Sequence, residues 1–201
     1  NFETYNFHTL YKDLLNFCTV DLSAFYFDIR KDTLYCDDLG TEKRKSTIIF
    51  LNILLEILLK WFAPILSFTT EEIYRLVKIN SNKSIHLEDF PNIPTKWNNK
   101  KLEEKWIELI KIREACNSSI ELKRASKEIG SSLEASLIIN LNDKMLKIVE
   151  GTDFSELCIT SEAKVEISKT NEIVVKTIKA EGEKCPVCWK INKNRCERHS
   201  T

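Results

Sequence analysis

The residues with the clearest capacity for chemistry lie in the last twenty positions. Gly182-Glu-Lys-Cys185-Pro-Val-Cys188-Trp189 is followed by Lys-Ile-Asn-Lys-Asn-Arg-Cys196-Glu-Arg-His199. Two thiols stand two residues apart, seven residues pass, and Cys196 and His199 repeat the two-residue spacing. Each such turn brings both its donors within bonding reach of one ion, and two turns close a tetrahedron of three sulfurs and a nitrogen. Four ligands leave no open position, so the spacing predicts one structural zinc ion holding a module with almost no apolar core. Two other readings of the pair exist. Cys185 and Cys188 could be a redox dithiol, but that motif belongs between a strand and a helix, and here Lys- and Asn-rich loop sequence follows it. A disulfide is the other. Against it, Cys18, Cys36, Cys116 and Cys158 are scattered among apolar neighbours as reduced thiols would be, which points to a reducing, cytoplasmic setting.

Lys184, Trp189, Lys190, Lys193, Arg195 and Arg198 crowd this module. A tryptophan beside cations suits single-stranded RNA, the ring stacking on an unpaired base and the cations meeting phosphates. The same ring could instead cap the small core around the ion. No catalytic residue emerges. The chain has no Walker-type phosphate loop and no Gly-x-Gly-x-x-Gly. Of three histidines, His199 is used on the ion, His8 lies near an apolar helix stripe and reads as a packed residue, and His86 stands in a loop beside Glu88 and Asp89, where a local polar contact is expected. The pairs Glu71-Glu72 and Glu103-Glu104 read as first-turn charges on helices.

The elements that must position these residues are mostly helical. At 201 residues and 43% hydrophobic the chain has material for a real core, and 30 basic against 30 acidic residues give no overall bias toward nucleic acid or membrane. Phe7, Leu10, Tyr11, Leu14, Leu15 and Cys18 form one stripe of a helix expected from about Glu3 to Arg30, with Thr33 to Cys36 a short extended piece. The apolar run from Ile48 to Ala63 carries Asn52, Glu56 and Lys60 every four residues, which marks a central helix of a soluble bundle rather than a membrane span. Ser46 or Thr47 is its expected cap and Pro64 its end. Thr69-Thr-Glu-Glu72 has capping-box spacing for a third helix to Val77. A connector from Ile79 to Lys96 leads to a long helix capped by Asn98 or Asn99, with Trp106, Leu109, Ile110 and Arg113 at helical intervals. Beyond Gly130, residues 135–141 read as a strand, 143–150 as a short helix, and Val165 to Ile178 as a hairpin. The fold class is therefore mainly α: a helical bundle over 1–128, a small α+β unit over 129–181, and a zinc module over 182–201. There is no initiator Met or leader, and the opening in mid-helix suggests a piece of a longer chain.

Leu14-Leu-Asn-Phe-Cys18, Leu22-Ser-Ala-Phe-Tyr-Phe-Asp28, Lys31-Asp-Thr-Leu-Tyr35 and Ala63-Pro-Ile-Leu-Ser-Phe-Thr-Thr-Glu-Glu-Ile-Tyr74 resemble the anticodon-binding helical domain of class Ia aminoacyl-tRNA synthetases. Leu87-Glu-Asp-Phe-Pro91, Ile129-Gly-Ser-Ser-Leu-Glu-Ala135 and the terminal Lys184-Cys-x-x-Cys-Trp189 are similar to the isoleucyl subgroup in particular. The resemblance implies a parent enzyme that joins isoleucine to tRNA with ATP and Mg2+, a monomer in the cytoplasm with no membrane contact. Its catalytic domain carries His-Ile-Gly-His and Lys-Met-Ser-Lys-Ser signatures, and neither occurs here. The chain is then expected to be inert alone and to bind the anticodon stem-loop of tRNA(Ile), through Trp189 with Lys184, Lys190, Arg195 and Arg198. Two features depart from the family pattern. His199 stands where the family usually has a fourth Cys after a longer loop, and Pro186 and Val187 stand where members often carry Arg. A free-standing zinc-knuckle RNA-binding protein and the equivalent part of a valyl or leucyl enzyme are the alternative readings.

Overall fold

The computed structural model describes residues 3–78 and 83–199, in two compact units, residues 1–97 and 98–201. The protein is mainly helical with a small sheet region. Residues 79–82 of the expected connector lie outside the described residues.

In the first unit, α1 (Phe7–Asn16) passes without interruption into a π-helical stretch (Phe17–Phe27) and then α2 (Asp28–Cys36). Thr33 to Cys36 is thus helical and not extended. Ile29 and Thr33, one turn apart, are both buried on the side of α2 that packs on α3, and that burial carries the helix on. The α3 helix (Glu42–Phe62) starts earlier than the capping signals suggested, with Thr41 as cap residue and Glu42 in the first turn. The hydroxyls of Ser46 and Thr47 instead donate back to the Lys43 carbonyl at 3.0 and 2.8 Å. Pro64 does end α3, and α4 (Ser67–Val77) begins two residues before the expected Thr69. Leu59, Ala63, Tyr74 and Ile85 form a core cluster beneath Leu55 and Ile73.

The polar stripe on α3 has a structural use. Lys60 lies 3.8 Å from Glu56 and 3.4 Å from Glu88, and the Tyr74 hydroxyl donates to Glu88 at 3.0 Å. Glu71 was expected to be a first-turn charge but sits mid-helix as a clamp. It accepts from Ser84 Oγ at 2.8 Å, from the Ile85 amide at 2.9 Å and from Arg75 Nε at 2.7 Å. His8 is exposed and not packed, and His86 Nε2 meets the Ser67 carbonyl at 3.2 Å. No helix among the described residues is long and apolar enough to cross a membrane.

The second unit is built on α5 (Lys100–Ala125), 26 residues long and so about 39 Å. The Asn99 side chain accepts from the Leu102 amide at 3.1 Å, as its position before the helix implied. The buried stripe is Leu109, Ile112, Cys116 and Ile120, while Trp106 and Ile110 are exposed. This helix packs on a three-stranded sheet of β1 (Ala135–Leu141), β2 (Glu162–Ile167) and β3 (Val174–Lys179), with α6 (Asp143–Val149) and α7 (Phe154–Leu157) between β1 and β2. The strand order is β2-β1-β3, with β1 parallel to β2 and antiparallel to β3. The hairpin expected from Val165 to Ile178 therefore does not form. Its two arms are separated by β1, whose Leu137, Ile139 and Leu141 are fully buried and need a partner on each edge.

Candidate metal centre and basic groove

The module at the end of the chain starts from a backbone constraint. Gly182 has φ +126°, and a Cβ there would come within 2.1 Å of the Asn192 carbonyl oxygen, so only glycine fits. The close approach lets β4 (Glu183–Lys184) pair with β5 (Ile191–Asn192) in antiparallel register. This two-rung ribbon carries the first Cys turn at its tip. The Cys185 amide donates to the Lys190 carbonyl at 2.9 Å and the Trp189 amide to the Cys185 carbonyl at 3.0 Å. The second turn is closed by the His199 amide on the Cys196 carbonyl at 3.1 Å.

These turns bring Cys185, Cys188, Cys196 and His199 together, with every ligand atom within 4.8 Å of the others. Around a tetrahedral ion with bonds of about 2.3 Å to sulfur and 2.0 Å to nitrogen, two sulfurs stand about 3.8 Å apart and sulfur and nitrogen about 3.5 Å. Cys188 Sγ and Cys196 Sγ are 3.8 Å apart. His199 Nδ1 is 3.5 Å from Cys185 Sγ and 3.4 Å from Cys196 Sγ. The cluster can hold a metal ion, and these three separations match those of a tetrahedral site. The Cys188 and Val187 amides pointing at Cys185 hold its thiol down to about 6, whereas burial pushes Cys188 up to about 12. A thiolate at Cys185 therefore forms first.

The residues expected around the ion fall into three groups. Trp189 is 58% exposed and has φ +63°, a backbone region that L side chains rarely adopt. Lys184 Nζ stands 5.1 Å from its ring centroid, a cation–π contact. Lys190 turns inward, with Nζ 3.5 Å from the Ser155 hydroxyl and its charge beside Asp153. Arg195 and Arg198 line a groove of about 410 Å³ together with Lys193, which pairs with Glu181 at 3.1 Å. Two positions that matter carried no functional signal in the sequence. Gly182 is one. Ser161 is the other, its hydroxyl donating to the Leu133 carbonyl and accepting from the Ile191 amide at 2.6 Å, so it ties the ribbon to the sheet. Neither residue type announces a contact made 10 or 30 residues away.

The chain is 67% identical over 199 residues to the isoleucine–tRNA ligase of Pelagibacter ubique, covering 99% of this chain and 22% of that protein. It is 39% identical to the isoleucine–tRNA ligase of Agrobacterium fabrum, over 94% of this chain and 21% of the relative, and 41% identical to that of Bradyrhizobium diazoefficiens, over 95% and 20%. The chain thus spans about a fifth of the length of these curated relatives. Residues 1–139 match the family model described as the anticodon-binding domain of tRNA ligase, and the chain belongs to that family.

Proposed function

We propose that this chain is the C-terminal tRNA-recognition part of an isoleucine–tRNA ligase, inert by itself, whose amino-acid activation with ATP and Mg2+ takes place elsewhere in a longer protein. The arrangement we assign is a helical bundle, a small α+β unit, and a module over 182–201 organised by one zinc ion. Cys185, Cys188, Cys196 and His199 are its ligands. Three soft sulfurs and an imidazole in a closed tetrahedral set suit zinc, and no position is left for a substrate. The partner is the anticodon stem-loop of tRNA(Ile), met by a monomeric enzyme in the cytoplasm. Kinship to isoleucine–tRNA ligases along nearly the whole chain supports this reading.

The observation that carries the site is Trp189. A tryptophan in left-handed backbone costs roughly 1–2 kcal/mol that glycine would avoid. A core plug would recover that cost by burial, yet this ring is more than half exposed. The exposed face with Lys184 beside it is a platform for an unpaired base, and the ion holds the turn that presents it.

The test is titration of the isoleucine anticodon stem-loop against the full-length protein, with Trp189→Ala and a chelated sample beside it. Loss of about 1–3 kcal/mol of binding in both supports the assignment. Equal binding by all three removes Trp189 from recognition.

A further inference from the structure

The groove beside the knuckle has a composition that the reading of Trp189 leaves unused. Its volume of about 410 Å³ lies in the range of ligand-sized clefts. Ser161, Glu162, Ala180 and Glu181, at or next to the ends of β2 and β3, line it together with Asn194 and Arg195. The flanking carboxylates are already engaged. Glu181 holds Lys193 at 3.1 Å, and Glu162 faces Lys164 at 3.2 Å while accepting from the Ser136 hydroxyl at 3.2 Å. Arg195 and Asn194 have no hydrogen-bond or ion-pair partner among the described residues. A guanidinium with its donor fork open, in a groove where Glu162 and Glu181 are already paired and the basic residues Lys190, Lys193, Arg195 and Arg198 outnumber the remaining acid, Glu197, is suited to one planar or tetrahedral oxyanion.

Position selects the anion. Trp189 does not line the groove, but its neighbours Cys188 and Lys190 do. Sequence adjacency puts the groove beside the Trp189 ring, within reach of the sugar–phosphate backbone of a strand that lays a base on it. We propose that the groove is a phosphodiester subsite for the RNA strand next to the base stacked on Trp189. Arg195 is its principal cation, with Arg198 also in the lining, and Glu181 holds back the charge of Lys193 by pairing with it. The proposal rests on the RNA-recognition reading above and adds a second, separable contact to it.

The experiment measures stem-loop affinity of the full-length protein across a salt series for the wild type, Arg195→Gln, Glu181→Gln and Trp189→Ala. Metal content and far-ultraviolet circular dichroism serve as fold controls. Arg195→Gln is expected to weaken binding about tenfold at low salt and to reduce the slope of log K against log salt by about 0.7. Glu181→Gln is expected to tighten binding and steepen that slope, because Lys193 is released; a merely structural role for Glu181 cannot do this. Stem-loops with one neutral methylphosphonate linkage, moved through the loop, should include one that reproduces the Arg195→Gln loss without adding to it. Unchanged slopes in both charge variants, with binding still lost in Trp189→Ala, overturn the groove and leave the RNA reading standing. Absence of stem-loop binding by the wild type overturns both.

Discussion

Trp189 is the residue at which local strain and proposed function meet. Glycine in its place relaxes a φ of +63°, so Trp189→Gly is expected to stabilise the knuckle by about 1 kcal/mol while lowering stem-loop affinity by about 1–3 kcal/mol. Thermal melting and a binding isotherm on one variant check both signs, and a variant that is more stable and binds equally well would leave the strain without a purpose. His199 invites a second substitution. Zinc accepts thiolate as readily as imidazole in a closed four-ligand site, so His199→Cys is expected to retain the proposed ion and His199→Ala to lose it, read by metal analysis after dialysis. The grouping of Cys185, Cys188, Cys196 and His199 was legible because metal chemistry depends on residue type and short spacing. The strain at Trp189 was not, since φ is imposed by the hydrogen bonds that close the turn from Cys185 to Lys190.

Two short contacts decide how elements stay in place. Glu71 fastens the segment beginning at Ser84 to α4, and its hydrogen bonds from Ser84, Arg75 and the Ile85 amide bring its carboxyl down to about 2, from an ordinary 4.5. A carboxylate depressed in the folded state binds fewer protons than in the unfolded chain. Its stabilisation is therefore complete above the ordinary carboxylate range and is lost as pH falls from there toward 2. Protection of the Ile85 amide, taken relative to its intrinsic exchange rate at each pH, should fall through that window, and in Glu71→Gln should lose most of this pH dependence. Ser161→Ala leaves the Ile191 amide without its acceptor, and a cost of about 1–3 kcal/mol is expected in exchange protection of the β4–β5 ribbon. Sequence periodicity located α3, α4 and α5 and the strand at 135–141 because their buried stripes are local in the chain. It paired β2 with β3 wrongly, since alternation and a turn-like Lys-Thr-Asn cannot report that β1 has a stronger claim on both edges. The stripe on α5 was displaced for a similar reason. Trp106 and Ile110 have helical spacing, but the sheet covers the neighbouring face through Ile112 and Cys116.

Taken whole, the second unit has two separate sources of stability. The cluster of α5 and the sheet buries Ile112, Cys116, Leu137, Ile139 and Leu141 completely. The module beyond Gly182 buries little except Cys185 and Cys188. Removal of the proposed ion is therefore expected to unfold residues 182–199 and to spare the helix and sheet, visible as loss of exchange protection confined to that segment. Global unfolding on chelation would mean that the ion also organises the sheet. The strand order has a further consequence, for synthesis. Both partners of β1 lie later in the chain, so β1 leaves the ribosome with two bare edges and an apolar face. It stays so until β3 has followed, an interval in which intermolecular strand pairing competes with folding. A protein cut at residue 139, where the family match ends, would hold that hazardous intermediate permanently: an incomplete β1 with neither neighbour.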